Sequence, residues 1–131
     1  MIKPIDIVLD FDGTCVAQVY PGVGGEIGAV PVLRELTEAG HRLILFTMRC
    51  NRDDGLLDAT NWFRKWDIPL YGIQSHPNQK EWTDSPKAYG ELIIDDRSLG
   101  IPTTFRKSLS DVPYVDWYQT RLLLKKRGLL K

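Results

Sequence analysis

Short apolar runs alternate with amphipathic stretches along this chain. Residues 5–10 are apolar and rich in β-branched side chains apart from Asp6, and Gly13 follows closely, which predicts a buried strand ending in a turn. From 15 to 28, repeated glycines and Pro21 break any helix, while Val16, Val19 and Tyr20 can pair as a short hairpin. That segment reads as a flap over the strand end. Val30, Val32, Leu33, Leu36 and Ala39 recur at helical spacing, with Pro31 in the first turn and Gly40 at the C-terminal cap position. A second buried strand is expected over 43–47. Leu56, Leu57, Ala59, Trp62, Phe63 and Trp66 then predict a second helix that starts near Asp53 and Asp54 and ends before Pro69. Residues 70–73 make a short strand, 74–86 a polar loop of turn formers, and 92–94 a strand that runs into Asp95 and Asp96. Residues 103–105 are expected as a last strand and 116–127 as a closing helix with a basic end.

Such alternation predicts an α/β fold: a three-layer, doubly wound, mostly parallel sheet of about five strands with helices on both faces. At 131 residues the chain is expected to form one domain over 1–131. Ligands of parallel sheets bind beyond the carboxyl ends of the strands.

Charge removes some function classes. Seventeen basic and seventeen acidic residues cancel, so no long-range field draws in nucleic acid or an anionic membrane. No apolar run approaches the ~18 residues of a membrane span, and the start carries no signal-peptide core. A cytoplasmic protein is expected, with Cys15 and Cys50 as free thiols. His41 and His76 have no metal-binding spacing with the cysteines and read as a surface and a loop residue.

Three predicted strands end in polar groups: Asp10 and Asp12, Thr47 and Arg49, then Asp95 and Asp96. In a parallel sheet these ends meet on one rim. Four gathered carboxylates repel one another, so a divalent cation is the natural compensation, and oxygen ligands favour Mg2+. Such an ion would also screen a phosphate dianion from the acids. Arg49 can clamp a phosphate or substrate carboxylate, or pair with Asp53 or Asp96. Taken singly, Asp12 is turn chemistry, Thr47 a strand end, the Asp95-Asp96 pair a solvated loop and Lys87 a surface charge.

Jointly they carry a resemblance. Asp10-Phe11-Asp12-Gly13-Thr14, following an apolar strand, resembles the first motif of the haloacid dehalogenase (HAD) superfamily. The resemblance implies that Asp10 attacks phosphorus and that Asp12 acts as acid and base. Thr47 resembles the second motif, whose hydroxyl binds the phosphoryl group, and Asp95-Asp96 the fourth. Asp10, Asp12, Asp95 and Asp96 would then form the Mg2+ site. For the third-motif lysine, Lys87 in Pro86-Lys87-Ala88-Tyr89 is preferred, with Lys80 as the alternative. Neither 15–28 nor 51–86 has room for a cap domain, so the resemblance is to small capless members. The implied function is a magnesium-dependent phosphomonoester hydrolase for a phosphosugar or other small phosphorylated metabolite. Its open site would be covered by the flap, by a large substrate or by a second copy in a homo-oligomer. Alternatives are a nucleic-acid end phosphatase, with Lys125-Lys126-Arg127 as its one basic track, and a non-catalytic phosphate-binding module.

Overall fold

The computed structural model describes residues 1–131 as an α/β fold. Strands β1 (Asp6–Leu9), β2 (Arg42–Leu45), β3 (Gly72–Ile73) and β4 (Leu92–Ile94) form one sheet in the order β3-β2-β1-β4, with every neighbouring pair parallel. Helix α1 (Ala29–Glu38) joins β1 to β2, and α2 (Gly55–Lys65) joins β2 to β3. The first helix ends as its sequence predicts, with Gly40 in a left-handed conformation (φ 99°) just beyond it.

Strand register sorts the core into two unequal faces. Ile7 lies opposite Leu43, and Leu9 opposite Leu45 and Ile94. These side chains share one buried cluster with Val30, Leu33 and Leu36 of α1 and with Trp62 and Phe63 of α2. The ring of Phe11 stacks edge-on against Trp62 at 5.6 Å, which fixes the segment just past β1 onto the second helix. The alternate strand positions, Val8 and Ile44, cluster only with Ala88, with Tyr71 alongside.

Helices therefore do not supply the buried side chains on that second face, where they were expected. Residues 74–91 cross it as a loop with one tight turn (Gln79–Glu81), because a segment rich in turn formers has no apolar helical stripe to bury. Buried Gln79 holds this loop together. Its Oε1 accepts from the backbone of His76 and Tyr89, and its Nε2 donates to the carbonyls of Ser85 and Lys87. Cover is thin, for Ile93 remains 46 % exposed.

The expected fifth sheet strand is also corrected. β5 (Thr103–Thr104) pairs antiparallel with β6 (Tyr114–Val115) in a separate two-stranded unit, so the main sheet has four strands and β4 is its edge. Gly100 (φ 92°) and Pro102 redirect the chain before it can return to the sheet. Helix α3 (Trp117–Lys126) closes the fold, capped by Asp116, whose Oδ1 accepts from Gln119 N at 3.0 Å, and it adds Trp117 and Leu124 to the main cluster.

Both histidines are buried rather than exposed. His41 Nδ1 accepts from Ile5 N, which places its hydrogen on Nε2, 2.8 Å from the Leu129 carbonyl. His76 likewise accepts at Nδ1 from Asn78 N and directs Nε2 at Asp6, a carboxylate also gripped by Arg42. They anchor the chain ends and the 74–91 loop to β1. No helix is long and apolar enough to cross a membrane. Both cysteines are free.

Candidate active site

Because β1 lies between β2 and β4, the residues just past these three strands arrive at one rim. A cleft of about 380 Å³ opens there, lined by Asp10, Asp12, Thr47, Arg49, Asp95 and Asp96. Six sequence-predicted site residues are thus brought together. Gln18 and Tyr20 of the flap and Arg97 line it as well.

Asp10, Asp95 and Asp96 form the acid cluster, with oxygens all within 4.8 Å of one another. Burial, reinforced by the neighbouring Asp95, pushes Asp10 up to about 8. Burial and the same neighbour raise Asp96 above its ordinary value too. Three hard oxygen donors gathered in this way could hold a metal ion.

The first motif is built around this cluster. Thr14, wholly buried, has its hydroxyl 2.9 Å from Asp10 Oδ2 and 3.3 Å from Asp96 Oδ1 and accepts from Asp96 N at 3.0 Å. One hydroxyl proton thus serves two acids. Gly13 takes φ 81°, and its Cα lies so close to the Asp96 carboxylate that a Cβ would have no room. Trp117 Nε1 donates to the Thr14 carbonyl at 2.7 Å and pins the curl to α3.

Asp12 stands apart from the acid cluster. Both its oxygens accept from Arg49, with Nε to Oδ2 and Nη2 to Oδ1 each 2.8 Å. The same guanidinium donates to the carbonyls of Pro21, Gly22 and Gly55. All five of its N–H groups are engaged, it is 2 % exposed, and the rings of Phe11 and Tyr20 flank it. The Asp12 carboxylate lies outside the Asp10, Asp95 and Asp96 cluster, and Arg49 is a clamp bonded within the wall. Its partners do not include Asp53 or Asp96.

The flap is tied down by this clamp and by its own pairing. Val16 bridges Glu26, Ala17 N donates to Gly25 O, and Gly24 approaches the Ala17 carbonyl too closely for any side chain.

Thr47 is held by a residue that sequence reasoning missed. Gln74, just past β3, accepts from Thr47 N at 2.9 Å and donates to the carbonyls of Thr47 and Arg49 at 2.8 and 2.9 Å. Arg49 N donates to Thr47 Oγ1 at 3.1 Å, leaving the hydroxyl proton available to the cleft. The available signal was position: Gln74 is the first polar residue after an apolar run, as Asp10 and Thr47 are.

Lys87 and Lys80 do not line the cleft. Both are exposed on the loop that covers the second face. Cys15 is buried beneath the site, donating its thiol to the Asp10 carbonyl at 3.3 Å, and burial pushes that thiol well above its ordinary value. Cys50 is exposed, and both thiols are free.

The chain is 32 % identical to a conserved protein coded by a locus from Bacteroides thetaiotaomicron, whose solved structure it matches over 95 % of its own length and 93 % of that chain with a TM-score of 0.76. No family model matches the chain, and no curated protein does.

Proposed function

The chain belongs to the same family as the conserved Bacteroides thetaiotaomicron protein, and from the chemistry of its own cleft we propose that it is a magnesium-dependent phosphomonoester hydrolase of the HAD type. One observation carries the reading: the Asp10 carboxylate sits within 4.8 Å of Asp95 and Asp96 on the rim that also presents Thr47. An acid cluster without a neighbouring hydroxyl and proton carrier would be a cation site alone. That Asp10, Asp12, Thr47, Asp95 and Asp96 line one cleft supports the reading.

Asp10, Asp95 and Asp96 would hold Mg2+, which when bound supplies positive charge to draw in the phosphate dianion and Lewis acidity toward its oxygens. An oxygen of Asp10 attacks phosphorus as the ester P–O bond breaks, giving an aspartyl-phosphate, and the leaving oxygen takes a proton from Asp12. Water then attacks the same phosphorus, the bond to Asp10 breaks, Asp12 takes the water's proton and inorganic phosphate departs. Thr47 donates its hydroxyl proton to a phosphoryl oxygen during both steps. Each Asp12 oxygen keeps a lone pair beside the one that faces Arg49, where a proton can sit. The clamp that orients Asp12 also holds the Pro21 and Gly22 carbonyls of the flap.

The cleft suits a small phosphorylated metabolite such as a phosphosugar, for its volume is at the lower end of ligand pockets. Lys125 and Lys126 lie in the last turn of α3 and do not line it, which weighs against a nucleic-acid end as substrate. Two free thiols are consistent with a reducing cytoplasm as its compartment.

The test is hydrolysis of an aryl phosphate with magnesium and with chelator, comparing wild type with Asp10→Asn. Metal-dependent turnover that vanishes in the variant is expected. A wild type that binds magnesium yet turns over no phosphomonoester would leave only a binding module.

A further inference from the structure

The charge balance of the cleft is incomplete without another cation. Asp10, Asp95, Asp96 and an arriving phosphate dianion are all anionic, and a single divalent ion does not offset them. The HAD resemblance implies a lysine for this duty, yet neither Lys80 nor Lys87 lines the cleft. Arg49 does line it, but its guanidinium is saturated by Asp12 and three carbonyls and is sealed from solvent.

Arg97 is different in each respect. It follows the acid pair directly, lines the cleft with Asp10, Asp95 and Asp96, and is exposed. Its guanidinium takes part in no ion pair and no side-chain hydrogen bond, whereas the neighbouring Arg49 is fully bonded. The root of the side chain is nevertheless fixed. Its backbone N–H donates to Asp95 Oδ1 at 2.9 Å, and Ser98 N donates to the Asp95 carbonyl at 3.1 Å, closing the turn that carries it. An anchored backbone with an unengaged planar fork matches two oxygens of a phosphoryl group.

We propose that Arg97 is the catalytic residue that grips the phosphoryl group of the substrate, a guanidinium in the position of charge that the resemblance assigns to lysine. This rests on the phosphatase reading above and sharpens it. Its N–H groups bind non-bridging oxygens in the ground state and strengthen as charge shifts during transfer. No proton moves through it, since a guanidinium stays protonated.

The test measures two things in wild type, Arg97→Met, Arg97→Lys, Lys87→Met and Lys80→Met: binding of inorganic phosphate by calorimetry with magnesium present, and kcat/KM for an aryl phosphate. Magnesium affinity without phosphate is recorded as the control for an intact acid cluster. Arg97→Met is expected to weaken phosphate binding by about tenfold or more and to lower kcat/KM by about 10² to 10³, with magnesium affinity held. Arg97→Lys recovers part of both, because a point charge lacks the fork. Both lysine variants stay close to wild type. Phosphate binding by Arg97→Met equal to wild type overturns the proposal, and so does its loss in a lysine variant. A wild-type protein that neither binds phosphate nor turns over the ester overturns the phosphatase reading itself, a result separable from failure at Arg97 alone.

Discussion

Arg49 grips both carboxylate oxygens of Asp12 at 2.8 Å from a position almost wholly removed from solvent. The pair joins three parts of the chain: the first motif through Asp12, the flap through Pro21 and Gly22, and the start of α2 through Gly55. Three separate loops at the rim are thereby held as one wall. On the phosphatase reading the contact serves stability and catalysis together, and the two can be measured apart.

Arg49→Met leaves Asp12 facing unpaired carbonyls in a buried wall. Asp12 still meets solvent through the cleft, so the loss is about 1–3 kcal/mol rather than that of stranding a fully buried charge, and the urea midpoint should fall. Arg49→Lys keeps the charge but loses the bidentate fit and the flap contacts. Activity in that variant should drop more than stability, with the flap cleaved faster by protease. The double variant Arg49→Met with Asp12→Asn should recover part of the stability lost in Arg49→Met. Additive losses in the cycle would mean that the two residues do not act as a pair.

Much of this fold was legible in the residues themselves. Residues 5–10, 43–47 and 92–94 are apolar enough to be buried strands, and the parallel order then places Asp10, Thr47 and Asp95 on a common rim. Local pattern carried that far. What it could not carry was partnership across the chain. Arg49 and Asp12 are separated by 37 residues, Gln74 and Thr47 by 27; the first pair exists because β2 lies beside β1, the second because β3 lies beside β2. Residues 103–105 look like a sheet strand by composition, and only Gly100 and Pro102 hint that the chain turns to a different partner. His76 lies on a loop as its sequence predicts, but the surface reading of His41 failed for a similar reason. A buried imidazole satisfied by a backbone carbonyl or by Asp6 has no local signature.

Gly13 offers a second test of the site's construction. Its left-handed backbone and the Asp96 carboxylate against its Cα leave no space for a methyl group. Gly13→Ala is expected to cost about 1–2 kcal/mol from backbone conformation alone, and to push Asp96 away from Asp10. Magnesium affinity by calorimetry should therefore fall together with stability. A variant that loses stability and keeps wild-type magnesium affinity would separate Gly13 from the metal site.

Gln74→Leu probes positioning without touching the acid cluster. Its amide holds the Thr47 peptide from both sides, so the hydroxyl loses its aim when the amide is gone. Small displacements of a catalytic group can cost up to ~10² in rate. A fall in kcat of about tenfold or more with magnesium affinity unchanged is expected, read in steady-state kinetics alongside metal titration. Should Thr47→Ala and Gln74→Leu together lose the sum of their separate effects, Gln74 acts independently of Thr47.

The acid cluster makes the stability of the metal-free protein depend on pH in a stated direction. Asp10 is raised from 3.8 to about 8, so between those values the folded state keeps a proton that the unfolded chain releases. Proton binding therefore favours the folded state fully below 3.8 and loses that effect as pH rises through about 8. In chelator, wild-type stability relative to Asp10→Asn should decline across this window. Saturating magnesium replaces the proton as the neutralising charge, so the decline should flatten, and metal binding near neutral pH should release protons, visible as calorimetric heats that vary with the buffer's ionisation enthalpy. Asp10→Asn abolishes both effects while leaving the fold intact, because a neutral amide relieves the repulsion from Asp95. A wild type whose stability in chelator rises through this window relative to the variant would show that Asp10 is ionised without a cation. The cluster would then have no electrostatic need of the metal.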